Sequence, residues 1–189
     1  MSTKTPKETE ISDKAMKSKR LLLAGVACAA GLAGAGLAWW RMTPVPAVNA
    51  NVDAFWKLSF DQPDGRPLTM QSMKGQPLLL NFWATWCPPC VEELPLLESM
   101  WRQNHDKKLQ VLGLAVDQPS SVRRFLMQHQ LTFPMGLAGL TGTELSRSLG
   151  NSVAALPFSV LFDARGQVIA QKMGKLEPGD LNDWLALLK

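Results

Sequence analysis

From residue 78 the chain reads "LLLNFWA", a nearly continuous apolar run of strand length, which predicts a central strand buried on both faces. The pattern then changes. Leu94, Leu97 and Trp101 recur at helical spacing to about Asn104, and Pro95 falls inside that helix, where a missing N–H should kink it. "LQVLGLAV", 109 to 116, predicts a second buried strand, and Ser120 or Ser121 is placed to cap a helix whose apolar face is Val122, Phe125 and Leu126. A short helix near 143 to 149 leads to "FSVLFD", a turn at Ala164 to Gly166 and "QVIAQKM", together an antiparallel hairpin. Leu181, Trp184, Leu185 and Leu188 predict a closing amphipathic helix. Upstream, Phe55, Lys57 and Ser59 alternate with Trp56, Leu58 and Phe60 before the turn residues "DQPDG" and then "RPLTM", so 54 to 70 predict a strand pair. Strands alternating with helices, then a terminal hairpin and helix, imply an α/β sandwich with a mixed central sheet flanked by helices.

One apolar run is of another kind. "LLLAGVACAAGLAGAGLAWW", residues 21 to 40, carries no charge, and as a helix it would span about 30 Å, the thickness of a bilayer core. Lys14, Lys17, Lys19 and Arg20 precede it, only Arg41 follows closely, and Trp39 with Trp40 stand where an interfacial aromatic belt belongs. The expectation is one transmembrane anchor with a cytoplasmic basic tail, 1 to 20, and the rest of the chain across the membrane. A signal peptide cleaved after Ala50 is the competing reading, but the run is longer than a signal core and ends in WWR. Lipidation at Cys28 fits less well, because Gly25 stands where such a site wants leucine and the chain stays apolar afterwards; Cys28 reads as a small apolar residue in lipid. Residues 41 to 53, short, Pro-containing and nearly uncharged, read as an extended tether, and 54 to 189 as the folded domain.

Charge changes this picture only by exclusion. The net +4 arises in the N-terminal tail; from residue 42 onward 13 basic side chains balance 13 acidic ones, so the domain has no electrostatic footprint for nucleic acid.

The candidate chemistry lies in "NFWATWCPPCVEELP", 81 to 95, which holds two of the three cysteines. A bare CxxC serves as a metal clip, a structural staple or a redox dithiol. Zinc wants four ligands, and the domain adds only His105 and His129, without finger-like spacing. A structural disulfide closing so short a loop removes little chain entropy. Haem attachment needs CxxCH, and Val91 takes the histidine position. Redox use has a mechanism: Cys87 follows the central strand and Cys90 lies in the first helical turn, where unpaired amides and the helix dipole stabilise a thiolate at Cys87. Cys90 is then placed to resolve a mixed disulfide. Pro88 and Pro89 donate no hydrogen bond to the sulfur and restrict the loop, which should tune redox poise.

"NFWATWCPPC" followed by "EELP", with "LGLAVDQ" and "LPFSVLFDARGQVIAQKMG" further on, resembles the TlpA/ResA-type branch of the thioredoxin superfamily over about 55 to 188. The resemblance implies a thioredoxin-like fold and a thiol:disulfide oxidoreductase on the extracytoplasmic side of the bacterial inner membrane. It implies that Cys87 is the exposed nucleophile, Cys90 the buried resolving thiol, and Pro157 a cis-proline opposite them that leaves the backbone of Leu156 free for substrate. Substrate contact is thereby assigned to Trp86, Leu156 and Pro157, and proton transfer with Cys90 to Glu93; the simpler reading of Glu92 and Glu93 is a favourable charge near a helix N-terminus. No cofactor or metal is implied. The partners implied are extracytoplasmic protein thiols or disulfides and a membrane electron donor of the DsbD/CcdA kind.

Two positions depart from related patterns. Asn81 stands where cytoplasmic thioredoxins have an aspartate, so proton transfer must come from elsewhere, which favours Glu93. Leu156, Phe158 and Ser159 replace the small residue and the threonines common around the proline. The leading expectation is a reductase, with apocytochrome c or the cysteine ligands of a copper site as candidate substrates. Its alternatives are a disulfide-forming oxidant and a Cu(I) chaperone using both thiolates.

Overall fold

The computed structural model describes residues 49–104 and 109–188. The expected anchor, the basic tail and most of the tether lie outside these residues. Among the described residues no helix is long and apolar enough to cross a membrane.

The elements run α1 (Asn49–Phe55), β1 (Ser59–Asp61), β2 (Pro67–Thr69), α2 (Met70–Met73), β3 (Leu78–Trp83) and α3 (Pro88–Asn104). They continue with β4 (Gln110–Ala115), α4 (Pro119–Gln128), β5 (Met135–Leu137), a single 3-10 turn, α5 (Gly142–Ser148), β6 (Phe158–Phe162), β7 (Val168–Met173) and α6 (Pro178–Ala186). The strands form one mixed sheet in the order β2-β1-β5-β4-β3-β6-β7. Its centre, β3, pairs parallel with β4 and antiparallel with β6, and all six of its residues are buried, as its apolar run predicts.

Alternation along these strands divides the core into two layers. Leu79, Trp83, Val111, Ala115 and Leu161 face one way, against Leu94 and Leu97 of α3, Val122 of α4 and Leu181 and Trp184 of α6. Leu78, Leu80, Phe82, Leu112, Leu114, Phe158, Val160 and Phe162 face the other, against α1 and α2.

Three expectations need correction. The end of the tether and the start of the predicted strand pair are helical: Asn49–Phe55 is α1, and the hairpin is confined to Ser59–Asp61 and Pro67–Thr69. The reason is that Val52, Phe55 and Trp56 repeat at i, i+3 and i+4, a helical stripe. All three are buried, with the rings of Phe55 and Trp56 centred 5.2 and 5.1 Å from that of Phe162. Second, α4 is not capped by Ser120 or Ser121. Gln118 holds the cap position and Pro119 the first turn, where its missing N–H leaves no bond unmade. Third, the three-residue strand β5 and the four-residue helix α2 escaped the sequence reading, being too short to show a period. Pro95 lies within α3, exposed, and the helix continues through it.

Candidate active site

The strand-to-helix junction places the cysteines. Cys87 directly precedes α3; its N–H donates to Ala84 O (3.3 Å) and its carbonyl accepts from Val91 N (3.1 Å). Pro88 and Pro89 fill the first two helical positions, so the Cys90 N–H is the first of the helix's free amides. A disulfide joins Cys87 to Cys90, with Cα atoms 5.3 Å apart. Cys87 keeps 4% of its surface and Cys90 none, so in the oxidised form Cys87 is the more accessible sulfur but not an exposed residue, a correction to the exposed nucleophile expected. Its shielding is local: both cysteines belong to the same buried cluster as Leu94 and Trp83, with Leu156 packed against it.

The loop before Cys87 is held from the segment that follows β4. Asp117, 6% exposed, accepts through Oδ2 from the Thr85 N–H (2.9 Å) and hydroxyl (2.5 Å), and through Oδ1 from the Gln118 N–H (2.6 Å). Trp86, between Thr85 and Cys87, is 65% exposed. The Leu156–Pro157 bond is cis; Leu156 is half-buried, Pro157 is buried, and the Pro157 carbonyl accepts from Gly174 N (2.8 Å). Asn151 shapes the approach to that proline, its amide oxygen accepting from Ala155 N (3.2 Å) while Nδ2 donates to Ala155 O (2.8 Å).

Below the disulfide lies a polar row on an otherwise apolar face. Gly113, Asn81, Ser159 and Lys172 are register partners across β4, β3, β6 and β7, so their side chains share one face of the sheet. Glu93 of α3 comes down onto this row one helical turn beyond Cys90, and it is fully buried. Asn81 Nδ2 donates to Glu93 Oε1 (2.7 Å) and to Ser159 Oγ (3.0 Å), and Leu176 N donates to Glu93 Oε2 (2.6 Å). Burial pushes the Glu93 carboxyl up from its ordinary 4.5 to about 7, against the downward pull of Leu176 N–H, the Asn81 amide, Lys175 and Lys172. A carboxyl that titrates near neutrality beside a dithiol can take and return a proton. Glu92, by contrast, is exposed and pairs with Lys175 (3.1 Å).

Thus the fold brings Glu93 beside Asn81, with Cys90 one turn away, and Leu156 against the cysteine cluster, while Trp86 is largely exposed. The supports Asp117, Asn151 and Ser159 were missed as site residues. Each is a polar residue adjoining a buried run, in "LAVDQ", "LGNS" and "PFSVLF", a signal that marks a buried polar group without naming its partner.

Known proteins agree with this geometry. The family model described as Redoxin matches residues 43–188. Over 123 residues the chain is 31% identical to thiol-disulfide oxidoreductase ResA of Bacillus thuringiensis subsp. konkukian, covering 65% of this chain and 69% of that one. Over 115 residues it is 30% identical to sporulation thiol-disulfide oxidoreductase A of Bacillus subtilis, covering 59% and 67%. Among solved structures, a thiol:disulfide interchange protein of the thioredoxin family from Chlorobium tepidum superposes with TM-score 0.60 at 27% identity, covering 69% of this chain and 91% of that one. With its helix-start disulfide on a thioredoxin-like mixed sheet, the chain belongs to the Redoxin family and is a thiol:disulfide oxidoreductase of the ResA type.

Proposed function

We propose that the chain is a membrane-anchored reductase of protein disulfides working outside the bacterial cytoplasm. The observation that carries the cycle is the stacking of three groups along one helix start: the more accessible Cys87, the buried Cys90 and, one turn on, the buried Glu93. Reduced Cys87, its thiolate favoured by the start of α3, attacks a substrate disulfide and forms a mixed disulfide. Cys90 loses its proton to Glu93 and attacks Cys87 Sγ; the Cys87–Cys90 bond forms and the substrate sulfur leaves as a thiolate. Leu156, packed against the cysteine cluster, the cis Pro157 that follows it and the exposed Trp86 next to Cys87 in the chain receive the substrate segment. The span at 21–40 anchors the domain and supports the direction, because an oxidising compartment supplies no reductant and electrons must cross the membrane from a donor of the DsbD/CcdA kind.

The test is a Cys90→Ala trap in the full chain. Turnover should be lost and Cys87 should accumulate mixed disulfides with extracytoplasmic proteins. Partners trapped only by Cys87→Ala would reverse the two roles, and a couple more oxidising than the glutathione pool would reverse the direction.

A further inference from the structure

The loop between α5 and β6 closes on one buried side chain. Asn151 is fully buried, and its backbone carbonyl accepts from Ala154 N (3.0 Å). Ala154 completes this turn at φ 54°, in the left-handed region that a non-glycine residue seldom enters. The chain thereby comes back over Asn151, whose amide takes both backbone groups of Ala155: Oδ1 accepts from its N–H (3.2 Å) and Nδ2 donates to its carbonyl (2.8 Å). The other Nδ2 hydrogen goes to Ser146 Oγ (3.3 Å), whose own hydrogen is taken by Thr143 O (2.8 Å), so the amide fits only this way round. From β7, Gln171 Nε2 steadies the start of the loop by donating to Leu149 O (2.6 Å).

A single amide can reach the N–H and the carbonyl of one residue only if the two point the same way, as they do in an extended residue facing a neighbouring strand. Asn151 thus does for Ala155 what a paired strand does in a ladder. Leu156 is held extended by the proline after it, so its N–H and carbonyl point away from the side that Ala155 faces. Neither group is hydrogen-bonded among the described residues, and the Leu156 side chain packs against the cluster that holds both cysteines.

We propose that Asn151 is a positioning residue for the substrate: standing in for an inner strand at Ala155, it turns the backbone of Leu156 outward, where an extended polypeptide carrying the disulfide pairs with it. Main-chain pairing gives affinity without reading particular side chains, so the substrate class is a disulfide within an extended or unfolded segment. A disulfide with no flanking main chain gains nothing from Asn151. The inference rests on the reading of Leu156 as a substrate contact.

The experiment compares two disulfides as oxidants of the reduced full chain: that of mercaptoethanol, which has no main chain, and an unstructured peptide dimer joined through its single cysteine. In Asn151→Ala the second-order rate constant for the peptide should fall about tenfold, the worth of one to two hydrogen bonds, while the small disulfide reacts within about twofold of the unaltered chain. A loss on the small disulfide as large as that on the peptide, or an unchanged peptide rate, would overturn the proposal. If the variant does not fold, amide exchange in chains with Asn151 intact decides. The Ala155 N–H should exchange slowly and the Leu156 N–H fast, and the Leu156 N–H should become protected in the mixed disulfide of Cys90→Ala with the peptide. A fast Ala155 N–H, or a Leu156 N–H that stays fast in that complex, would also overturn it. Should the unaltered chain reduce neither disulfide, the reductase reading falls by itself. The same comparison then runs in reverse, with the oxidised chain acting on the peptide thiol and on mercaptoethanol, and it judges Asn151 by the same ratios.

Discussion

The two faces of the central sheet share strands, register and twist, yet they are built for different ends. On the face toward α1, the rings of Phe55, Trp56 and Phe162, and of Phe82 and Phe158, pack at centroid distances of 5.0 to 6.0 Å, and the polar residues in register with it include the uncharged Gln110, at the start of β4, and Gln171, on β7. On the face toward α3, one register row is given over to Gly113, Asn81, Ser159 and Lys172, directly where Glu93 descends. The buried carboxyl whose proton affinity is raised thus meets one row of one face, and the opposite face is built chiefly of packed apolar and aromatic side chains. Such a division is available to a sheet because successive side chains point to opposite sides, so polar groups can be grouped on one side with no change to the other.

The largest test of this division is Phe162→Ala, which empties the aromatic layer. It should cost about 3 to 5 kcal/mol in chemical unfolding, a large part of a typical domain's stability, while the pH profile of thiol alkylation in the folded protein stays where it was. A shifted profile would show that the faces are coupled.

Glu93→Gln probes the other face through pH. Because burial raises the folded carboxyl from 4.5 to about 7, the folded state holds a proton that the unfolded chain releases between those values. The stability from this group is therefore complete below about pH 4.5 and is lost as pH rises through 7, a difference of about 3 kcal/mol. The glutamine variant should lose this slope, so that unfolding midpoints measured at pH 5 and 8 lie closer together than in the unaltered chain. An unchanged slope would remove Glu93 as the titrating group.

Gly113→Ala is the smallest of the three and adds volume to the row without adding charge. A Cβ at this position would lie 2.5 Å from Met135 Sδ, 3.1 Å from Trp83 Nε1 and 3.3 Å from Phe133 Cε2. The expected cost is about 1 to 3 kcal/mol, with the Glu93 midpoint retained; a wild-type melting curve would mean that the Met135 side chain yields freely.

Much of the fold was legible because long runs declare themselves. "LLLNFWA", "LQVLGLAV" and "FSVLFD" are long enough for apolar content alone to mark buried strands, and the CxxC at the end of the first marks the chemistry. Some short elements were not legible: β5 has three residues, and in α1 the stripe of Val52, Phe55 and Trp56 also fits two positions of an alternating strand. In the site, Asn81 and Ser159 are separated by 78 residues and meet only because β3 pairs with β6.

The amino-acid order alone determined that two cysteines would stand at a strand-to-helix junction behind two prolines, since strand, turn and helix are encoded by neighbours along the chain. Which carboxyl would lose its water, and which amide and hydroxyl would meet it, was decided by the pairing of distant strands beneath α3. Burial and hydrogen bonding depend on what the whole chain brings together, and they set the proton affinity of the Glu93 carboxyl.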